Sequence, residues 1–397
     1  MPGAEGLALV GEARAFASEL VRWRRHLHQH PELGFEEVRT SRFVQETLRG
    51  LGLDVRAPLA KTGVSCLIEG ESRGPTVALR ADMDALPIQD EKEVAYASSV
   101  PGKAHLCGHD AHTTILLGAA RLLSKHRPKR GNVKLLFQPA EEGLAGAKAM
   151  IEDGALENPK VKAIAGLHVH HSAATGFVTM CPGLCTAAAD AFDITVIGKG
   201  GHAAHPHLSV DAVAVSAQVI SALQHIASRQ TDPLSPLVIT IGKIEGGYAR
   251  NVIAPRVRLE GTARTLDPAL REGLPTRLKN IVEGVCQAFG GSYAFNYDYG
   301  FPSSYNDPVL LPVLERTAQD VLGAGRFSTV PPTMGGEDFA FYAREIPGMF
   351  FRLGIRNEAK GSVYPLHHPK FDIDEDALPL GAAMLATFAL HYLAGAA

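Results

Sequence analysis

Long runs of like charge are missing from this sequence. Its 397 residues carry 39 Lys and Arg against 42 Asp and Glu, a net charge of −3. The densest basic stretch is the short cluster Arg127-Pro128-Lys129-Arg130, so nucleic acid is not an expected partner. No apolar stretch reads as long enough to span a bilayer, and no membrane partner is expected. The apolar run from Gly6 to Val10 is short, sits between Glu5 and Glu12, and has no basic segment before it. That argues against a signal peptide. Cysteine is scarce: residues 66, 107, 181, 185 and 286 are five, an odd number, widely spread. Such usage fits reduced thiols in the cytoplasm rather than a disulfide framework. Internal repeats and low-complexity linkers are also missing.

What is present is an ordinary globular composition, 46% hydrophobic and 20% charged. The chain is too long for one core, so two domains are expected. Histidine stands out: there are 17, many beside Asp, Glu or Gly.

Periodicity gives an amphipathic helix over about Leu7–His28, ended by His30-Pro31, and a second over Ser41–Leu51. Strand-like runs follow at Val64–Ile68, Val77–Arg80, Val133–Phe137 and Ala163–His168, with a helix over His112–His126. Strands alternating with helices indicate an α/β layer with a parallel or mixed sheet. After about Ala188 the order becomes strand (Ala191–Ile197), helix (Val210–Ser228), strands (Leu237–Ile244 and Arg256–Thr265), helix (Arg271–Phe289) and strand (Tyr293–Tyr299). This is the ferredoxin-like β-α-β-β-α-β pattern. A helix (Val309–Leu322), a strand (Met349–Leu353) and a last helix (Glu375–Leu393) then resume the first domain. The expected division is therefore 1–187 and 302–397 for a catalytic domain, with 188–301 inserted as an α+β domain.

Three of the four apolar strands, those beginning at Val77, Val133 and Ala163, end in polar, metal-type residues. In an open α/β sheet, ligands bind beyond the carboxyl ends of strands. Asp82 and Asp84 close Val77-Ala-Leu-Arg-Ala-Asp82. They alternate by two and can share a face; their ordinary alternative is a polar cap. The segment His105-Leu-Cys107-Gly-His109-Asp110-Ala-His112 is sharper. Cys107 and His109 can grip one ion from a tight turn at Gly108, because thiolate and imidazole suit zinc-like divalent metals. Asp110 and His112 can orient those ligands. In Phe137-Gln-Pro-Ala-Glu141-Glu142, one carboxylate can bind metal and the other take a proton from water. His168 closes the fourth strand. One His of Leu366-His367-His368 can complete the shell. Gly198-Lys-Gly-Gly201-His202 lies in the inserted domain, where glycines permit close approach and a His can stabilise an oxyanion.

Taken together, these motifs resemble the M20 family of metallopeptidases and aminoacylases, from Arg24-Arg25-His26-Leu27-His28-Gln29-His30-Pro31-Glu32 to Leu366-His367-His368-Pro369. They are most similar to its N-acyl-amino-acid amidohydrolase branch. The resemblance implies a mixed-sheet metallohydrolase with an inserted lid and dimerisation domain, active as a homodimer or homotetramer on small N-acyl amino acids. It implies two divalent ions per subunit, Mn, Zn, Co or Ni, on Cys107, His109, Glu142, His168 and His367. Glu141 matches the general base. Asp84 is counted with the catalytic set, as is His202, which resembles a lid His reaching a neighbouring subunit's site. Asn251 and Arg264 resemble residues that hold the substrate's carboxylate or oxyanion. Glu337 and Asp338 match a signature near the site. Asp82 stands where other branches carry a metal-binding His, and Cys107 where they carry a bridging Asp. A dipeptidase or carboxypeptidase using the same chemistry is the alternative. A non-catalytic binding protein of this fold is the remote one, set back by every catalytic position being filled.

Overall fold

A computed structural model describes residues 4–395. The chain forms two compact units, Met1–Gly183 with Tyr305–Pro331 and Asp338–Ala397, and Leu184–Ser304 with Pro332–Glu337. The sequence reading leaves Pro332–Glu337 with the first domain. It goes with the second because Ala187 N–H donates to the carbonyls of Thr333 (3.1 Å) and Gly335 (3.0 Å).

The first unit holds β1 (Val55–Leu59), β2 (Gly63–Glu69), β3 (Thr76–Asp82), β4 (Asn132–Gln138), β5 (Val161–Ala174) and β6 (Val178–Met180). With strands Gly348–Arg356 and Phe327–Thr329 they make one eight-stranded sheet, ordered β1-β2-β4-β3-β5-(348–356)-β6-(327–329). Its centre is parallel: β3 runs with β4 and β5, and β5 with 348–356. Such strands are covered on both faces, which is why β3 is buried at every position. β1 is absent from the sequence reading because Val55-Arg-Ala-Pro-Leu59 carries no apolar run. The reading also ends β5 near His168. Pairing with 348–356 carries it on to Ala174 instead, so His168 sits inside the strand.

α1 (Ala4–Ala15) and α2 (Ala17–Gln29) replace the single expected helix. They part at Phe16, which leaves helical geometry (φ −114°, ψ 20°) while its ring enters the core. α3 (Val38–Gly50) follows. α4 (His109–Lys125) is buried over nearly its whole length. It packs on the helix Ala377–Gly395, so closely at Gly118 that an added Cβ would lie 2.8 Å from Ala382 Cβ. That last helix corrects the reading on apolar stretches. It is 19 residues with mean hydropathy 1.5, long and apolar enough to cross a membrane, yet 78% buried inside the protein. An all-round apolar helix is what the centre of a large core demands.

The second unit pairs Leu237–Gly246, Arg256–Thr265, Ala188–Ile197 and Ser292–Phe301 in that order, all antiparallel. The alternating burial of Ala188–Ile197 turns Phe192, Ile194 and Val196 inward. They share a core with Val219 and Leu223 of helix Ala212–Arg229 and with Leu274, Leu278 and Val282 of helix Pro268–Ala288. Asp211 and Asp267 cap these two helices, accepting from Val213 N–H (2.9 Å) and Ala269 N–H (2.8 Å).

Candidate metal centre

Register alone assembles the first side chains. Asp82 pairs with Gln138 where β3 and β4 end together. On the other side Arg80 pairs with Gly166, so His168 lies two residues further along β5, level with Asp82. The loop after β4 adds Glu141 and Glu142. The loop before α4 adds Cys107 and His109. Gly108 between them has φ 90°, and a Cβ there would lie 2.4 Å from Val169 Cγ2. Both the backbone and the space therefore demand glycine. His367 reaches the same edge with φ 65°, held by its N–H on Leu106 O at 2.7 Å.

Two triads result, and they share one atom. Cys107, His109 and His168 offer ligand atoms all within 4.8 Å of one another, and so do Cys107, Glu142 and His367. Cys107 Sγ is 3.4 Å from His168 Nε2, and His367 Nε2 is 3.4 Å from Glu142 Oε1. His109, Glu141 and Glu142 form a third close group. The donor atoms suit metal rather than one another. Among the described residues, His109 Nε2 is buried without a hydrogen bond of good geometry, a costly state unless something else binds it. His109 donates its other nitrogen to Asp84 Oδ1 (3.1 Å) and His168 its own to Val169 O (2.8 Å). Each imidazole thus turns its other nitrogen toward Cys107, the arrangement seen when an outer carboxylate or carbonyl orients a metal-binding His.

Burial pushes the Cys107 thiol well above its ordinary range, and it pushes His168 well below its own. Burial opposes charge on His109 too, but Asp82, 3.8 Å from its Nε2, holds that imidazole up. A divalent cation held here would favour the thiolate and neutral imidazoles.

Behind the triads lies a buried scaffold that the sequence reading assigned only in part. Asp84's second oxygen accepts Glu142 N–H at 2.9 Å, so it steers both His109 and Glu142. Asp82, where other branches carry a His, lies close to His109 and His112. Its oxygens are occupied by Arg80 Nη1 (2.7 Å) and His112 Nδ1 (2.6 Å). Arg80 continues to Gln138 Oε1 (2.8 Å) and Asp338 Oδ1 (2.9 Å). Asp338 N–H in turn donates to Glu141 Oε1 at 3.4 Å. Asp110 touches no ligand side chain; it accepts from Arg24 (2.7 Å) and pairs with His28 (2.7 Å), pinning the first turn of α4. Arg80 and Glu37 were missed. An Arg in a buried strand and a Glu in Gly34-Phe-Glu-Glu37 give no signal until their partners are known. Glu37 accepts Ala140 N–H (2.8 Å) and Thr62 Oγ1–H (2.6 Å). It thereby fixes Ala140, whose φ of 55° launches Glu141.

In the second unit, His202 lies exposed on a two-residue strand paired with Val252–Ile253, and Ala203 N–H donates to Asn251 O at 3.1 Å. His202 and Asn251 are thus neighbours. Arg264 is apart from them, opposite Ala189 on a central strand and half-buried. A Cβ on Gly336 would stand 3.2 Å from its Nη1. Glu337 is buried.

The sequence model of Peptidase family M20/M25/M40 matches residues 78–391. An IAA-amino acid hydrolase of Arabidopsis thaliana is 43% identical, over 95% of this chain and 87% of its own. A thermostable carboxypeptidase of Saccharolobus solfataricus is 39% identical, over 97% and 98%. The crystal structure of a Bacillus subtilis protein, described as a dinuclear metal-binding peptidase of the M20 family, superimposes with a TM-score of 0.84 at 34% identity, covering 96% of this chain and 99% of that one. This chain therefore belongs to peptidase family M20/M25/M40 and is a metal-dependent hydrolase of its amidohydrolase branch.

Proposed function

We propose that the chain hydrolyses the amide bond of N-acyl amino acids, releasing a carboxylic acid and an amino acid. The observation that carries this reading is the pair of triads meeting at Cys107, with Glu141 beside them. Cys107, His109 and His168 would hold one divalent ion, and Cys107, Glu142 and His367 a second, with Cys107 as the bridge. When bound, the ions supply Lewis acidity toward the amide carbonyl and lower the pKa of water. Nitrogen, sulfur and oxygen donors suit Zn, Co, Ni or Mn.

Glu141 is nearly buried, and its carboxylate lies within 4.8 Å of the His109 and Glu142 donor atoms. It takes the proton from the attacking water and delivers it to the leaving nitrogen. His202 contributes a donor to the developing oxyanion, Asn251 supports it, and Arg264 pairs with the substrate carboxylate. We assign a homodimer or homotetramer on the His202 resemblance, and a cytoplasmic setting on the five unpaired cysteines.

A second reading, carboxypeptidase action, is favoured by the Saccharolobus relative. One panel separates the two. Protein loaded with Mn, Co or Zn is offered N-acetyl, N-benzoyl and indole-acetyl amino acids beside dipeptides and N-blocked peptides. Faster turnover of the acyl amino acids, abolished by chelator, supports the first reading. Turnover of peptides alone overturns it.

A further inference from the structure

His112 lies among the candidate ligands, yet both of its nitrogens are spent. Val169 N–H donates to Nε2 at 2.9 Å, so Nε2 holds the lone pair and Nδ1 carries the proton given to Asp82 at 2.6 Å. The residue is 1% exposed. Its ring packs against those of both His109 (centroids 5.4 Å apart) and His168 (4.5 Å). These are the two imidazoles of one triad. The contact to Val169 matters most, because Val169 O is the group that fixes His168 Nδ1. One peptide unit away from His168, the strand is therefore clamped by His112. The clamp is anchored in turn: Asp82 is held by Arg80 Nη1 at 2.7 Å, and Thr113 Oγ1 donates to Asp82 O at 2.8 Å.

Among the described residues, the other triad has no such brace. The Glu142 side chain is 21% exposed and that of His367 50%. Glu142 is fixed through its backbone N–H rather than its carboxylate. Among the described residues, the His367 ring has no polar contact but Glu142.

We propose that His112 is a positioning residue that makes the Cys107–His109–His168 position tight and slow to exchange, while the Cys107–Glu142–His367 position exchanges readily. This rests on the ligand assignment under Proposed function. A braced ligand loses less freedom on binding, and removing such an outer contact costs about 10- to 100-fold in metal affinity.

The test is chelator-driven release from the full chain loaded with Zn(II), followed with a colorimetric zinc indicator. Bound metal is counted before and after. The wild type should release two ions per chain in two phases. His367→Gln should keep only the slow phase. His112→Asn can still reach Asp82 but is too short for Val169 N–H, and its slow phase should accelerate about 10- to 100-fold. His112→Gln, long enough to offer an acceptor to Val169, should recover part of the difference. Thermal melts of the metal-free proteins identify folded variants. A residue with a merely structural role lowers the melting temperature but leaves the ratio of the two release rates unchanged. Release in one phase from the wild type, or an unchanged slow phase in folded His112→Asn, overturns the proposal. If Cys107→Ala instead binds two ions with wild-type release rates, the ligand assignment itself has failed.

Discussion

The two units solve different problems with the same residue types. In the first, charged and polar groups are driven inward: Arg80, Asp82, Asp84, His109 and His112 are each at most 1% exposed. In the second, His202 is exposed and Arg264 half-buried. Buried polar groups hold their geometry because every alternative leaves an unsatisfied partner. Exposed ones are free to reorient. The difference teaches that metal-holding chemistry is built on a fixed scaffold, while groups meant to meet a substrate can stay open to solvent.

The contrast can be broken or sharpened by experiment. Glu141→Gln should lower kcat by about 10²- to 10⁴-fold with metal content unchanged. Full activity in that variant removes Glu141 from the mechanism. Arg80→Met removes the guanidinium that Asp82 and Asp338 share in the buried scaffold. It should cost about 3–5 kcal/mol in denaturant unfolding; a loss under about 1 kcal/mol means the scaffold is not held by charge. His202→Asn in the second unit should cut kcat by about 10²- to 10³-fold while leaving metal content and melting temperature untouched. If metal content falls as well, the division of labour between the units is wrong.

The first unit should also carry a pH signature. Burial pushes the Glu37 carboxyl up to about 7 from an ordinary 4.5, with nearby Asp84 adding to the rise and hydrogen bonds from Thr62 and Ala140 opposing it. Between those values the folded chain binds more protons than the unfolded one. The stabilisation is therefore present at low pH and is lost as pH rises through 7. For the metal-free protein the fall between pH 5 and pH 7 is about 2 kcal/mol. Glu37→Gln should flatten it; an unchanged slope in that variant points to another group. The smallest effect belongs to the second unit. Asp211→Ala removes a helix cap and should cost about 1 kcal/mol, read as faster amide hydrogen exchange in helix Ala212–Arg229 alone.

Much of this was legible in the sequence, because apolar runs mark strands whatever their neighbours. The paired glutamates lie just past β4, where a strand end was expected, and the Cys107-Gly108-His109 turn opens α4. The β-α-β-β-α-β order of the second unit is written in its alternating periodicities. What could not be read is whatever depends on a partner distant in sequence. His112 looked like a ligand-orienting residue, but only the fold shows that it holds Val169 N–H. Asp84 stands two residues from Asp82 in sequence, but only the fold shows that it holds both His109 Nδ1 and Glu142 N–H. Arg80 carries no signal in the sequence; its partners Gln138 on β4 and Asp338 lie 58 and 258 residues away. The continuation of β5 past His168 is decided by ladder hydrogen bonds to 348–356, which override its polar side chains.

One feature of the second unit bears on how the chain reaches its native state. The first and last strands of that unit are neighbours, with Ala189 opposite Phe301. In the first unit, β5 must find strand Gly348–Arg356, pairing Ile164 with Gly348 across the whole interruption. Closing so long a loop is entropically expensive and slow. A second unit that has already folded hands the chain back beside the point where it left, and most of the closure is then done. Folding should accordingly run inside out, the interruption first and the interrupted sheet after it. Destabilising the interruption would slow refolding of a sheet to which it contributes no strand.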